Sequence, residues 1–177
     1  MTVDPRDRRA VALQLSRPPR AMREVAHRCG CGLPDVVATN PLLEDGTPFP
    51  TYYYLTCPRA AALIGTLESS GLMAQMTERL ATDPEAQAAY TAAAEDYIAR
   101  RDAHGVLTDV PAQGGMPTRV KCLHVLVAHS LAAGPGVNTF GDEALALLDD
   151  WSRRGPCVDP DDPEAQPYKK PQKKTRR

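Results

Sequence analysis

The chemistry within reach of this chain lies mostly in its sulfur and imidazole side chains, five cysteines and four histidines. Cys29 and Cys31 flank a single glycine, Cys57 stands just before a proline, and Cys122 falls in the run RVKCLHVLVAHS. Four thiolates suffice for a structural zinc or an iron–sulfur cluster. Cys29 and Cys31 point to the same side if their segment is extended, and Gly30 and Gly32 would let the backbone approach an ion. The spacing, C-x-C followed by two isolated cysteines, is not that of paired C-x-x-C knuckles. Free cysteine is also among the most buried residue types, so packing is the competing reading.

Helix geometry restricts which histidines can join such a site. Cys122 and His129 are seven residues apart and would lie about 10 Å from each other along a regular helix, too far for one ion. His124 falls on roughly the opposite side of that helix from Cys122, and joins only if the helix begins after the cysteine. Otherwise His124 reads as a core histidine and His129 as an exposed one. Cys57 has a second expected role, since a thiol at a helix N-terminus beside Arg59 gains thiolate character, although no sequence-local base completes a nucleophilic site. A third candidate is the loop Gly114-Gly115-Met116-Pro117-Thr118-Arg119-Val120-Lys121. A glycine turn feeding a helix with Arg119 and Lys121 in its first turn suits a phosphate or carboxylate, but lacks the spacing of a nucleotide loop.

The elements that must position these residues follow from the hydrophobic pattern. Pro5 to Ser16, with Val11, Leu13 and Leu15, predicts a short helix stopped by Pro18 and Pro19. MREVAHRC, PDVVATN and FPTYYYLTC are short β-branched and aromatic runs separated by turn residues, and predict a three-stranded antiparallel meander. Alternation places Tyr53 on the opposite side from Tyr52 and Tyr54, as a candidate exposed aromatic. Beyond Cys57 the period becomes helical: Leu63, Ile64 and Leu67 up to Gly71, then Met73, Met76 and Leu80, then a longer helix opened by Asp83-Pro84 and carrying Tyr90, Ala93, Ala94, Tyr97 and Ile98. Val120, Leu123, Val127 and Leu131 predict a core helix. EALALLDDW predicts a last short one capped by Gly141 or Asp142. Strands first and helices after argue an α+β fold, a small meander followed by a helical bundle.

A chain of 177 residues with 42% hydrophobic content accommodates one core, and the expected organisation is a single domain over residues 1–151. Residues 152–177, rich in proline and charge, are expected to be a disordered tail, acidic (Asp159, Asp161, Asp162, Glu164) and then basic (Lys169 to Arg177). A net charge of -1 gives no global field to draw the molecule onto nucleic acid or membrane, leaving only the basic tail for such contacts. No stretch reads as a membrane span or signal peptide, so a cytoplasmic protein with reduced thiols is expected.

Several phrases, DPRDRRAVALQLSRPPRA, RCGCGLPDVVATNPLLEDGTPFPTYYYLTCPR, SSGLMAQMTERLATDPE and GGMPTRVKCLHVLVAHSLAAGPGVNTFGDEALALL, together resemble an actinobacterial family known as domain of unknown function 501. The similarity spans nearly everything up to Trp151. The resemblance implies a bacterial cytosolic protein whose gene often lies near those for enolase, a septum-formation-initiator-like protein and an exopolyphosphatase-like protein, which hints at cell division, the envelope or phosphate metabolism. It carries no activity and no catalytic residues. The expectations are therefore a metal-binding domain built on Cys29, Cys31, Cys57 and Cys122, with His124 as a conditional fifth donor, holding zinc or an iron–sulfur cluster. The alternatives are an enzyme or sensor binding an anionic small molecule through Gly114, Gly115, Arg119 and Lys121, and an interaction module for a division or envelope protein.

Overall fold

A computed structural model describes residues 3–169. The chain forms α1 (Pro5–Leu15), β1 (Met22–Arg28), β2 (Pro34–Thr39), β3 (Tyr53–Leu55), α2 (Pro58–Glu68), α3 (Leu72–Thr82), α4 (Pro84–Asp102), α5 (Leu123–Ala133) and α6 (Thr139–Ala146). The strands are antiparallel in the order β1-β2-β3, so the fold is α+β, as the order of patterns predicts. Among the described residues no helix is long and apolar enough to cross a membrane.

Every residue of β2 is buried, because the sheet is covered on both faces. Val36 and Ala38 face the main core with Tyr53, Leu55, Leu126, Val127 and Tyr97, whereas Val37 faces Val11 of α1, Met22 and Tyr54. Tyr53 therefore does oppose Tyr54 across the strand, but it is buried, and Tyr52, which precedes the strand, turns into the same core. The Tyr97 hydroxyl accepts from the Tyr52 backbone N–H at 2.7 Å, which ties the entry of β3 to α4.

The helix starts follow their caps. Asp83 accepts from the N–H groups of Glu85 and Ala86 at 3.0 and 3.1 Å and opens α4. The last helix is capped by Asn138, not by Gly141 or Asp142, and it starts earlier than the pattern EALALLDDW indicates. Gly141 serves instead for close approach: a Cβ there would run into the Leu126 carbonyl of α5.

The segment after Trp151 is described only in part. Through Lys169 it lies against the body, with Val158 buried among Ala10, Leu13 and Leu33, and Cys157, Ala165 and Tyr168 packed on the same cluster. Arg59 donates to the carbonyls of Arg154, Gly155 and Pro156, Arg6 pairs with Asp161 at 2.8 Å, and the Tyr168 N–H donates to the Leu13 carbonyl. A few apolar anchors and arginine-to-carbonyl bonds give this proline-rich stretch contacts that its composition alone does not reveal. Lys170 to Arg177, which hold most of the basic block, lie outside the described residues.

Candidate metal centre

Helix α5 begins at Leu123, with Cys122 as an extended cap residue (φ -154°, ψ 109°). The condition under which His124 can join Cys122 is thus met. The helical stripe misleads on this point because Val120 is buried like a helix residue while lying in the preceding loop, where its N–H donates to Thr77 Oγ1 at 3.0 Å.

Glu68, the last residue of α2, completes the trio. One donor atom each from Glu68, Cys122 and His124 lies within 4.8 Å of the other two, and all three side chains are half-buried. Two of them are held in place: Glu68 Oε1 accepts the Leu123 N–H at 2.7 Å, His124 Nδ1 lies 3.0 Å from the same oxygen, and His124 Nε2 lies 3.2 Å from the Ala61 carbonyl. Hydrogen bonding to Cys122 first, and to Glu68 second, raises the His124 pKa to about 9 against the opposing effect of burial. The three side chains together make a pocket that favours a cation.

Cys122 and His124 of this trio line a cleft of about 720 Å³ between β3, α2 and the start of α5, together with Tyr53, Leu55, Ala61, Gln14 and Tyr168. Among the described residues no arginine or lysine lines it.

The other cysteines do not meet Cys122. Among the described residues, Glu68, Cys122 and His124 form the one group of three or more metal-capable donors at ligand spacing. Cys29 and Cys31 hydrogen-bond to each other in the β1–β2 turn, where burial pushes the Cys29 thiol up to about 11. Gly30 between them makes room for Ser152 Oγ, 2.9 Å from where a Cβ would stand. Cys57 caps α2 and is 2% exposed. Its thiol is pushed up rather than down, because it hydrogen-bonds to Cys157 and is buried. The thiolate character assigned to Cys57 belongs to Cys157, which is lowered by its neighbour Cys57, assisted by Gln14 and Arg59.

The glycine loop does not form an anion cradle. Gly115 O accepts from the N–H groups of Thr118 and Arg119, and Gly114 O accepts from that of Lys121 at 2.7 Å. These donors are turned inward, while the Arg119 and Lys121 side chains are exposed. The α5 N-terminus, where the helix dipole would favour an anion, already faces Glu68. His129 is fully buried, not exposed, stacked on Tyr53 at 5.7 Å. Its Nε2 faces Asp96 Oδ1 at 2.9 Å, its Nδ1 lies 3.2 Å from Asn138 Nδ2, and burial lowers its pKa.

Sequence reasoning missed Glu68 and Cys157. A glutamate ending a helix reads as a solvated charge, and nothing in the primary structure links it to a cysteine 54 residues later. Cys157 stands in a stretch with too little apolar content to suggest packing.

No curated protein and no solved structure matches the chain. The model of a family described as a protein of unknown function, DUF501, matches residues 25–146. That stretch contains β2, β3 and β1 from Val25 onward, all helices from α2 to α6, and Glu68, Cys122 and His124, and leaves α1 and the C-terminal segment outside. Covering well over half of the sequence, the match makes this chain a member of the DUF501 family.

Proposed function

We propose that the protein is a zinc-binding domain whose ion is held by Cys122, His124 and Glu68 and keeps a coordination position facing the cleft. The observation that carries this reading is the arrangement around His124. Its Nδ1 faces Glu68 Oε1 while its Nε2 is directed at the Ala61 carbonyl, the pattern by which metal-ligating histidines are fixed in one tautomer by a backbone acceptor. One thiolate, one imidazole and one carboxylate suit zinc, and three protein ligands leave a fourth position for water or a ligand. An iron–sulfur cluster, which needs several thiolates, is less well served by this set. The apolar cleft beside the ion suits an uncharged or weakly polar ligand better than a phosphate.

The test is metal stoichiometry on protein stripped with chelator and reloaded, with cobalt(II) as the spectroscopic substitute. One equivalent of zinc and a sulfur-to-cobalt charge-transfer band are expected in the wild type and in Cys29→Ser and Cys31→Ser, and their loss in Cys122→Ser and His124→Ala. Wild-type protein that takes up no metal, or a Cys122→Ser variant that keeps the band, would overturn the reading. Because a bound ion stabilises the native state alone, stripping should also lower Tm by an amount that grows with the zinc concentration of the reference sample.

A further inference from the structure

The contact between Cys57 and Cys157 lies apart from the proposed metal centre and uses none of its ligands. Cys57 is buried at the start of α2, with 2% exposure, in the core cluster against which Cys157 of the C-terminal segment packs. Cys157 is only half-buried, and lines a solvent-open pocket of about 430 Å³ together with Arg6, Cys31, Pro156 and Pro160. Three groups converge on its sulfur or the backbone beside it. Gln14 Nε2 stands 3.5 Å from Sγ, Cys57 belongs to the cluster against which Cys157 packs, and Arg59 grips the Gly155 and Pro156 carbonyls at 2.7 and 3.2 Å. Gln14 cannot turn its oxygen to the sulfur without losing the Pro34 carbonyl, to which Nε2 also donates at 2.8 Å. A half-buried sulfur facing hydrogen-bond donors and a guanidinium, with a second thiol in contact and an open path to solvent, is the environment of a reactive cysteine with a resolving partner.

We propose that Cys157 and Cys57 form a peroxide-reactive dithiol, with Cys157 as the attacking sulfur and Cys57 as the resolving one. The Cys157 thiolate attacks one oxygen of hydrogen peroxide, the O–O bond breaks, and hydroxide leaves to be protonated by solvent, so that Cys157 becomes a sulfenic acid. The Cys57 sulfur then displaces that hydroxyl, its own proton leaving with it as water, and the S–S bond forms. Two thiol sulfurs have lost two electrons, and one peroxide has been reduced to two waters. A cellular thiol reductant reverses the change by thiol–disulfide exchange. The Cys157 thiol is lowered and the Cys57 thiol raised from their ordinary values, which favours Cys157 as the attacking thiolate. The product fixes the C-terminal segment covalently to α2.

The experiment treats reduced, full-length protein with an equivalent of hydrogen peroxide, blocks the remaining thiols, and maps peptides without reductant. A Cys57–Cys157 crosslink and the loss of two hydrogens in intact mass are expected. In Cys57→Ser, oxidation should stop at a sulfenic acid on Cys157 that dimedone traps. Alkylation of untreated wild-type protein should label Cys157 at least about tenfold faster than Cys57 at pH 7, with a rate midpoint below that of an ordinary thiol. Both thiols remaining alkylatable after peroxide, a crosslink joining Cys157 to Cys31 instead, or dimedone labelling that spares Cys157 would overturn the proposal. Wild-type mapping and alkylation require no variant to fold.

Discussion

Asp35 shows how closely one buried side chain can depend on another. It is fully buried on β2 and its Oδ1 meets His27 Nδ1 at 2.7 Å, while Oδ2 has no partner among the described residues. The hydrogen bond to Asp35 raises the His27 pKa above its ordinary 6.5 despite partial burial. A raised value means that the charged form is stabilised in the fold. The contribution of that charge is therefore complete below about pH 6.5 and is lost as pH rises through the folded value. His27→Ala leaves both carboxylate oxygens without a partner, and should cost about 1–3 kcal/mol in urea denaturation at acidic pH, with the difference from wild type narrowing above neutrality. A difference that widens with pH would contradict this assignment. His129 behaves oppositely. Buried with a lowered pKa, it stays neutral in the fold, and the cost of not charging it is felt only as pH falls below the unfolded value.

Helix pairing rests on a few close approaches. At Gly141 the backbone of α6 meets that of α5, with the Leu126 carbonyl and Ser130 Cβ both inside the space of an added methyl group. Gly141→Ala should thus push the two helices apart and destabilise by roughly 1–3 kcal/mol, read as a drop in Tm without loss of helical circular dichroism. Gly65→Ala, with nothing within 4 Å of the added carbon, is the matched control and should be neutral or stabilising. The same contrast explains what could be read from the primary structure. The strands, α1, α2, α3 and α4 were legible because their apolar residues repeat at one period and Asp83, Pro58 and Pro5 mark their starts. The start of α5 was not, because the buried loop residue Val120 continues the helical spacing past the true end of the helix. Two of the three residues of the candidate metal centre were legible, namely Cys122 and the conditional His124. Glu68 was not, because only the packing of α2 on α5 brings it there.

In the whole molecule, α1 and the C-terminal segment depend on each other. Ala10 and Leu13 are covered by Val158 and Tyr168, and Arg6 and Arg9 reach Asp161 and the Asp162 carbonyl. Removing residues 155–177 should therefore loosen a distant element: hydrogen exchange in residues 5–15 should accelerate at least about tenfold while α4 and α5 stay protected. Uniform acceleration would show instead that the segment supports the entire core. The pairing also bears on biosynthesis. Arg6 and Asp161 are 155 residues apart, an interval of about 10–30 s on a ribosome adding 5–20 residues each second. Throughout that time the sheet and helices can assemble on one side of β2, but the outer face of α1 has nothing to close over it. The nascent chain thus carries an open seam that only its late-emerging residues seal, and a nascent-chain binder that recognises α1 would have the whole of synthesis in which to act.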